Sequence, residues 1–370
     1  MRVVIITGSD VYEHQRVDLL WEYFNSIGVE TEVYSTDFDH RNKEIRNNLK
    51  SEYHYIKSRP YKKNISVQRI ISHITFSNDV YKAIKNKQVD LLWVLVPPNS
   101  LVKSFVRYKR NNPNIKIVFD VIDMWPESMP IRKYKKLPLI STWANIRNKW
   151  IDNSDFIITE CDLYQSILKQ YVKKEKMRTV YLARDILPYR SNPTLPNDKI
   201  ALCYLGSINN IIDIETITCI ISELKRVKPV ELHIIGDGEN KETLINKAKC
   251  AGAIVIYHGC VYDTDEKQRI YDSCHYGLNI MKPEVFVGLT MKSMDYFEAG
   301  LPIINNIVGD TWDFVDKYNI GINYTEETLA SSLLDQSARS RTRAFFESML
   351  SKDKFFHDIG EVIEQVFQES

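Results

Sequence analysis

The sequence is short of the features that mark several common classes of protein. Its six cysteines, Cys161, Cys203, Cys219, Cys250, Cys260 and Cys274, stand singly with no C-x-x-C pair. Neither a disulfide framework nor a zinc site is predicted, and they read as reduced packing residues. The eight histidines form no H-E-x-x-H spacing, so no metal site and no cofactor is expected. No apolar run approaches the roughly 18–20 residues of a membrane span. The strongest candidate, LLWVLV from Leu91 to Val96, has the length of a buried strand. The N-terminus, MRVVIITGSD, enters a strand at once and lacks the charged, apolar and cleavage regions of a secretory signal, which predicts a cytoplasmic protein. There is no G-x-G-x-x-G, no internal repeat, no low-complexity tract and no nucleic-acid-binding motif. A dinucleotide site loses support and no nucleic-acid partner is expected.

What is present is material for more than one core. A chain of 370 residues, 44% hydrophobic and 26% charged, exceeds the usual size of one domain and predicts two. The net charge of +1 conceals an asymmetry: residues 1–190 carry 32 Lys and Arg against 21 Asp and Glu, residues 191–370 carry 17 against 27. A basic first half suits phosphate-bearing or membrane-surface material; mutual attraction of the halves explains the asymmetry equally well.

Short apolar runs rich in β-formers alternate with segments of helical periodicity, the pattern of parallel sheets covered by helices on both faces. Strands are predicted at Arg2–Thr7, Thr31–Ser35, Leu91–Val96, Ile115–Val121, Phe156–Glu160 and Arg178–Leu182. A second series is predicted at Ile200–Gly206, Val230–Gly236, Ile254–Gly259, Tyr276–Met281 and Pro302–Asn306. Three prolines among polar turn formers in LPYRSNPTLPNDK, Leu187–Lys199, mark a linker. The predicted division is 1–187, a linker at 188–199, 200–353, and a C-terminal amphipathic helix at 354–370 that packs back toward the N-terminal domain. That helix is read from Phe355, Ile359, Val362 and Val366 at helical spacing.

In open α/β sheets ligands sit at the C-terminal ends of strands, so the loops there carry the candidate residues. After the first strand, Gly8 allows close backbone approach, and Ser9 and Asp10 offer hydroxyl partners. A plain strand-to-helix turn explains these residues about as well. In DVIDMWPES, Asp120–Ser128, Asp123, Trp125 and Glu127 put carboxylates beside an aromatic plane, a combination that suits sugar hydroxyls and sugar faces; a helix cap with a packed tryptophan is the plainer alternative. The strongest segment is VFVGLTMKSMDYFEAGLPII, Val285–Ile304. Gly288, Leu289 and Thr290 stand directly before a helix bearing Lys292 and Asp295. A helix N-terminus with a glycine, a hydroxyl and a lysine suits a diphosphate, and Asp295 suits ribose hydroxyls.

These segments, in this order, resemble the retaining nucleotide-sugar glycosyltransferases of the GT-B architecture, especially family four, whose bacterial members build capsule, exopolysaccharide and O-antigen. The likeness runs through DMWPE (Asp123–Glu127), NSDFIITECDLYQSIL (Asn153–Leu168), YLGSI (Tyr204–Ile208), HIIGDGE (His233–Glu239), YHGCV (Tyr257–Val261) and the Val285–Ile304 segment. It implies an α/β fold of two facing Rossmann-like domains with a cleft between them, the N-terminal one for the acceptor and the C-terminal one for the nucleotide sugar. It implies donor contacts at Gly206, Ser207, the main chain of Cys260 and Val261, Gly288, Leu289, Thr290, Lys292 and Asp295. Gly8, Ser9, Asp10, Trp125 and Glu127 fall on the acceptor side, with Asp123 and Lys292 as catalytic candidates. Three family features differ: Val287 replaces a glutamate, Ser207 replaces the arginine after the first strand of the second series, and Ile122 stands where a histidine is common. Phosphate charge is therefore assigned to Lys292 or Lys282.

The implied reaction moves a sugar, from a UDP-sugar in preference to a GDP-sugar, onto a glycan or a lipid-diphosphate-linked acceptor with retention of configuration. The basic runs Lys57–Lys63 and Ile131–Lys136 suit contact with the anionic inner face of the plasma membrane. Two other readings fit the same residues, a non-catalytic GT-B partner of an active transferase and a nucleotide-sugar epimerase. Oligomeric state, nucleobase, sugar and linkage are not encoded in any motif.

Overall fold

The computed structural model describes the chain apart from residues 11–15, 130–137, 189–190, 192, 194, 326–328, 330–336 and 369–370. It divides into two compact units, Met1–Arg184 with Lys352–Ser370, and Asp185–Ser351.

In the first unit the chain runs β1 (Arg2–Ile6), α1 (Arg16–Ser26), β2 (Glu30–Thr36), β3 (Phe38–Asp39), β4 (Glu44–Ile45), β5 (Tyr53–Ile56), α2 (Val67–Ile84), β6 (Leu91–Val96), α3 (Asn99–Asn111), β7 (Lys116–Val121), α4 (Pro138–Asn148), β8 (Phe156–Thr159), α5 (Asp162–Leu168) and β9 (Met177–Thr179). Seven strands form one sheet in the order β5-β2-β1-β6-β7-β8-β9, all parallel. β6 is buried along its whole length, as expected of a strand with helices on both sides. β3 and β4 form a separate antiparallel pair.

The second unit runs β10 (Ile200–Leu205), α6 (Ile214–Leu224), β11 (Val230–Ile235), α7 (Lys241–Cys250), β12 (Ala253–Gly259), α8 (Thr264–Asp272), β13 (Tyr276–Asn279), α9 (Met291–Glu298), β14 (Ile303–Asn305), α10 (Asp310–Tyr318), β15 (Gly321–Asn323) and α11 (Ala338–Met349). Its parallel sheet has the order β12-β11-β10-β13-β14-β15. Sequence periodicity missed β5, β15 and α11. The two strands are short, and α11 alternates Arg with Ser and Thr before its paired phenylalanines, so none shows a clean period.

The chain closes with α12 (Lys352–Gln368), whose Phe355, Ile359, Val362 and Val366 lie in the core of the first unit with β1, α1 and β6. Each such side chain contributes about 1.5–3 kcal/mol when fully buried. Among the described residues no helix is long and apolar enough to cross a membrane.

Both sheets reverse their winding once. In the first unit β1 pairs with β2 on one side and β6 on the other; in the second, β10 pairs with β11 and β13. Such switch points open a crevice at the C-terminal strand ends. The candidate residues of each unit gather there.

Candidate functional site

In the second unit the crevice is built around the end of β10 and the start of α9. Tyr296 fixes the two together: its hydroxyl accepts from the Leu205 N–H at 2.8 Å and donates to the Cys203 carbonyl at 3.0 Å. The loop before α9 is pinned through asparagines at the strand ends. Thr290 Oγ1 donates to Asn279 Oδ1 at 2.8 Å, and Asn279 Nδ2 donates to Asn305 Oδ1 at 2.9 Å. Gly288 is held by its carbonyl, which accepts from the N–H and hydroxyl of Thr311 at 2.9 and 2.6 Å.

Thr290 is the N-cap of α9 in a reciprocal capping box with Ser293, so its hydroxyl serves the helix and is 6% exposed. The expected phosphate contact through that hydroxyl is replaced by the cap. The box satisfies the N–H groups of Ser293 and Thr290. The N–H groups of Leu289, Met291 and Lys292 have no acceptor among the described residues. A row of open N–H groups at a helix start is an anion site.

Lys292 completes it. Its Cε lies 4.0 Å from where a side chain on Gly206 would begin. Its Nζ sits 4.5 Å from the centroid of the Tyr204 ring and 3.5 Å from the Tyr204 hydroxyl, which itself donates to the Ser207 carbonyl at 2.9 Å. Among the described residues no carboxylate lies within 4.0 Å of that ammonium, and burial pushes its pKa down to about 8. A partly buried cation without a counter-ion is held at a cost that an anionic ligand would offset. Asp295 lies one turn further along α9, partly buried. Cys260 and Val261 follow β12 at the same end of the sheet, Cys260 exposed and Val261 partly so; Ser207 is exposed after β10. Tyr204 and Asn279 were not predicted, since a buried tyrosine inside a strand carries no sequence signal of function.

In the first unit the expected acceptor-side residues are placed less openly. Asp10 is 2% exposed, and its oxygens accept from Ser35 Oγ and Arg46 Nη2 at 2.6 Å and from the Tyr55 hydroxyl at 2.5 Å. It organises the loop and has no oxygen left over for a sugar hydroxyl. The Ser9 N–H and carbonyl are engaged with Thr7 Oγ1 at 3.2 and 2.7 Å. Gly8 is required where it is, because a Cβ there would lie 2.5 Å from Pro98 Cδ.

The DMWPE loop is clamped from α3 and α4. Arg147, fully buried, donates to Glu127 Oε1 at 2.6 Å and to the Trp125 carbonyl at 3.0 Å, and Asn99 Nδ2 donates to that carbonyl at 2.8 Å. Glu127 is tied to Arg147 through Oε1, while its buried Oε2 has no hydrogen-bond partner among the described residues. The Trp125 ring is covered by the guanidinium of Arg69, 3.3 Å from its centroid. Asp123 accepts from Ser128 Oγ at 2.5 Å, and burial raises its pKa against the opposing hydrogen bonds. Glu160, after β8, is pushed up to about 7 by burial, with Arg16 opposing and Asp120 and Asp123 adding to the rise. Asp120 itself is neutralised by Arg16 at 2.7 Å and accepts from Trp93 Nε1 at 3.0 Å. Asp123 and Glu160 thus share an enclosed acidic patch at the ends of β7 and β8. Glu160 escaped sequence reasoning because nothing local distinguishes it from a strand terminus.

Residues 199–335 match the family model described as glycosyl transferases group 1. No curated protein matches the chain. Solved structures similar to it over its length include sucrose-phosphate synthase of Thermosynechococcus elongatus, with 13% identity, TM-score 0.69 and 100% of both chains covered. The apo form of the lipopolysaccharide outer core galactosyltransferase WaaB is 15% identical, TM-score 0.67, again with 100% of both chains covered. HepE of Anabaena in complex with UDP and glucose is 12% identical, TM-score 0.63, covering 98% of this chain and 99% of the other. At these identities the likeness shows the fold, the two-unit α/β architecture of the GT-B glycosyltransferases, and residues 199–335 carry a glycosyl transferases group 1 domain.

Proposed function

We propose that this protein is a retaining glycosyltransferase that binds a nucleotide-diphosphate sugar, a UDP-sugar in preference to a GDP-sugar, in its second unit. The sugar passes to a glycan or lipid-linked acceptor bound by its first unit, in bacterial surface-polysaccharide synthesis at the cytoplasmic face of the membrane. The observation that carries this reading is Lys292: an ammonium without a carboxylate partner, beside three open N–H groups, at the switch point of a sheet whose residues match a glycosyl transferases group 1 model. That arrangement suits a diphosphate, and Asp295 on the same helix suits the ribose. The UDP complex of HepE supports the choice of base.

The chemistry follows from where charge develops. As the bond from the anomeric carbon to the phosphate oxygen breaks, negative charge grows on the diphosphate, where Lys292 and the N–H groups of Leu289, Met291 and Lys292 stabilise it. The acceptor hydroxyl oxygen forms the new bond on the face the diphosphate leaves, and its proton passes to the departing phosphate oxygen. No protein nucleophile is required. Asp123 acts as a positioning residue, holding the Trp125 loop.

Titration with UDP, GDP, ADP and CMP in a thermal-shift assay tests the reading. UDP at about a hundred times its dissociation constant is expected to stabilise by about 2.7 kcal/mol, and Asp295→Ala to abolish the shift. No shift with any nucleotide would overturn the assignment.

The acceptor is assigned to the membrane on a second observation. Ile65, Val67, Ile71 and Ile74 are 41–59% exposed, the last three at helical spacing on the outer face of α2. Just before them Lys57, Arg59, Lys62 and Lys63 are exposed and form no ion pair among the described residues. Aliphatic side chains beside unpaired cations fit an anionic bilayer surface. The other basic run, Ile131–Lys136, lies outside the described residues. The protein is expected to pellet with phosphatidylglycerol vesicles and not with phosphatidylcholine. Lys62→Glu with Lys63→Glu should weaken the binding at least about tenfold, since each cation contributes about 1 kcal/mol. Sedimentation indifferent to these changes, and to Ile71→Glu with Ile74→Glu, would remove the membrane from the scheme.

A further inference from the structure

The inner face of α2 borders a second feature. At the switch point of the first sheet a small open concavity is lined by Gly8, His40, Ser58, Tyr61, His73 and Pro98, among others. Two cations stand against the Tyr61 ring that forms part of its wall. Arg69, 5% exposed, lies 5.4 Å from the Tyr61 ring centroid and donates from Nε to His73 Nε2 at 3.4 Å. Lys43 Nζ lies 5.1 Å from the same ring and donates to the His40 carbonyl and to Asn64 Oδ1, which leaves it one further N–H. Neither forms an ion pair within 4.0 Å among the described residues.

The nearest acids are committed elsewhere. Asp39 accepts from the N–H groups of Arg41 and Asn42 and from Asn42 Nδ2 at 2.7–3.1 Å, which builds the turn carrying Lys43. Asp123 accepts from Ser128, Trp125 and Met124. Because His73 Nε2 accepts from Arg69, its proton sits on Nδ1, and that buried N–H has no acceptor. His73 is held down to about 3 by burial, with Arg69 and His40 adding to the fall, so it stays neutral at physiological pH. His40 is lowered by burial, with Arg69 and Lys43 adding to the fall. The charge of the pocket is that of Arg69 and Lys43.

A buried guanidinium with no carboxylate within 4.0 Å is unusual; burial lowers the Arg69 pKa to about 10, with Tyr61 and Asp123 opposing only in part. Here one face lies on the Trp125 ring, Nη1 donates to the Asn64 carbonyl at 3.2 Å, and Nη2, which has no protein partner, stays accessible. The free Nη2 beside an ammonium and the Ser58 and Tyr61 hydroxyls suits a phosphoryl group, which offers several acceptor oxygens and more than one negative charge.

We propose that this concavity is a phosphoryl-binding subsite, distinct from the Lys292 site, in which Arg69 and Lys43 hold the phosphate of a phosphorylated acceptor. The assignment rests on the reading of the first unit as the acceptor side. The bearer of the phosphate is either a lipid diphosphate, which the exposed aliphatic face of the same helix favours, or a soluble phosphorylated glycan.

Calorimetric titration of inorganic pyrophosphate into the Lys292→Met variant isolates this subsite from the donor site. Binding is expected to remain in that variant and to weaken at least tenfold on adding Arg69→Met. Lys43→Asn is the second probe: Lys43 has φ +63°, a conformation asparagine tolerates, so it removes the charge without new backbone strain. Farnesyl diphosphate binding tenfold tighter than pyrophosphate would assign the phosphate to a lipid, and equal binding to a soluble acceptor. No pyrophosphate binding in Lys292→Met, or binding unaltered by Lys43→Asn and Arg69→Met in folded protein, overturns the proposal. The UDP shift of the wild-type protein is a separate readout, so either site can fail without the other.

Discussion

Replacing Lys292 with methionine is expected to lower sugar transfer by about 10²–10³-fold, the usual effect of removing one preorganised charge from a developing anion. The same change should make the unligated protein more stable by about 1–3 kcal/mol, the scale of the depressed pKa discounted for partial exposure. The folded pKa is about 8 against an ordinary 10.5. Between these values the unfolded chain keeps a proton that the folded chain has lost, so this group makes stability rise with pH across that window. Donor binding runs the opposite way. It needs the ammonium, so the affinity for a UDP-sugar should fall about tenfold from pH 7 to pH 9 as the protonated fraction drops. Lys292→Arg, whose charge does not titrate, should flatten that profile. Urea unfolding and a calorimetric pH series read the two effects. Full transfer by Lys292→Met, or a pH profile that Lys292→Arg leaves unchanged, would remove the lysine from the diphosphate site.

Gly236→Ala is expected to destabilise the second unit by about 4 kcal/mol, combining a strained backbone with overpacking. Gly236 has φ +133°, and a Cβ there would stand 2.1 Å from the Gly206 carbonyl oxygen and 2.8 Å from its carbon. The obstacle is main chain, so no rotamer relieves it. To make room, the loop after β10 must retreat, and that loop sets Gly206 and Ser207 opposite Lys292. Donor binding should be lost together with stability. Gly28→Ala is the matched control: its φ is +71° with nothing within 4 Å of the added carbon, so only the conformational strain of about 1 kcal/mol applies. Equal unfolding midpoints for the two variants would refute the close-approach argument.

The fold was largely legible because its signals are local. Continuous apolar runs such as LLWVLV mark strands with both faces covered, and the three- and four-residue spacing of Phe355, Ile359, Val362 and Val366 marks a helix face. The segment Gly288–Asp295 was legible as a helix start with a lysine in its first turn. Its capping box was not distinguished from a phosphate contact, since a threonine before a helix is read the same way in both. Asp10 shows the opposite failure. Its position after the first strand looked open, but Ser35, Arg46 and Tyr55 consume both oxygens. Arg69, Lys43 and His73 went unnoticed because they meet only through the packing of α2 against the turn after β3 and the loop before α2.

The sequence by itself determined the alternation of strand and helix, the two sheets and the loops at their C-terminal ends, because side-chain periodicity and burial act over a few residues. Tertiary structure alone decided which polar groups remain to bind something. An ion is available only when the folded neighbours leave it without a partner, and Lys292, Arg69 and Asp10 differ in what lies within 4 Å, not in their local sequence.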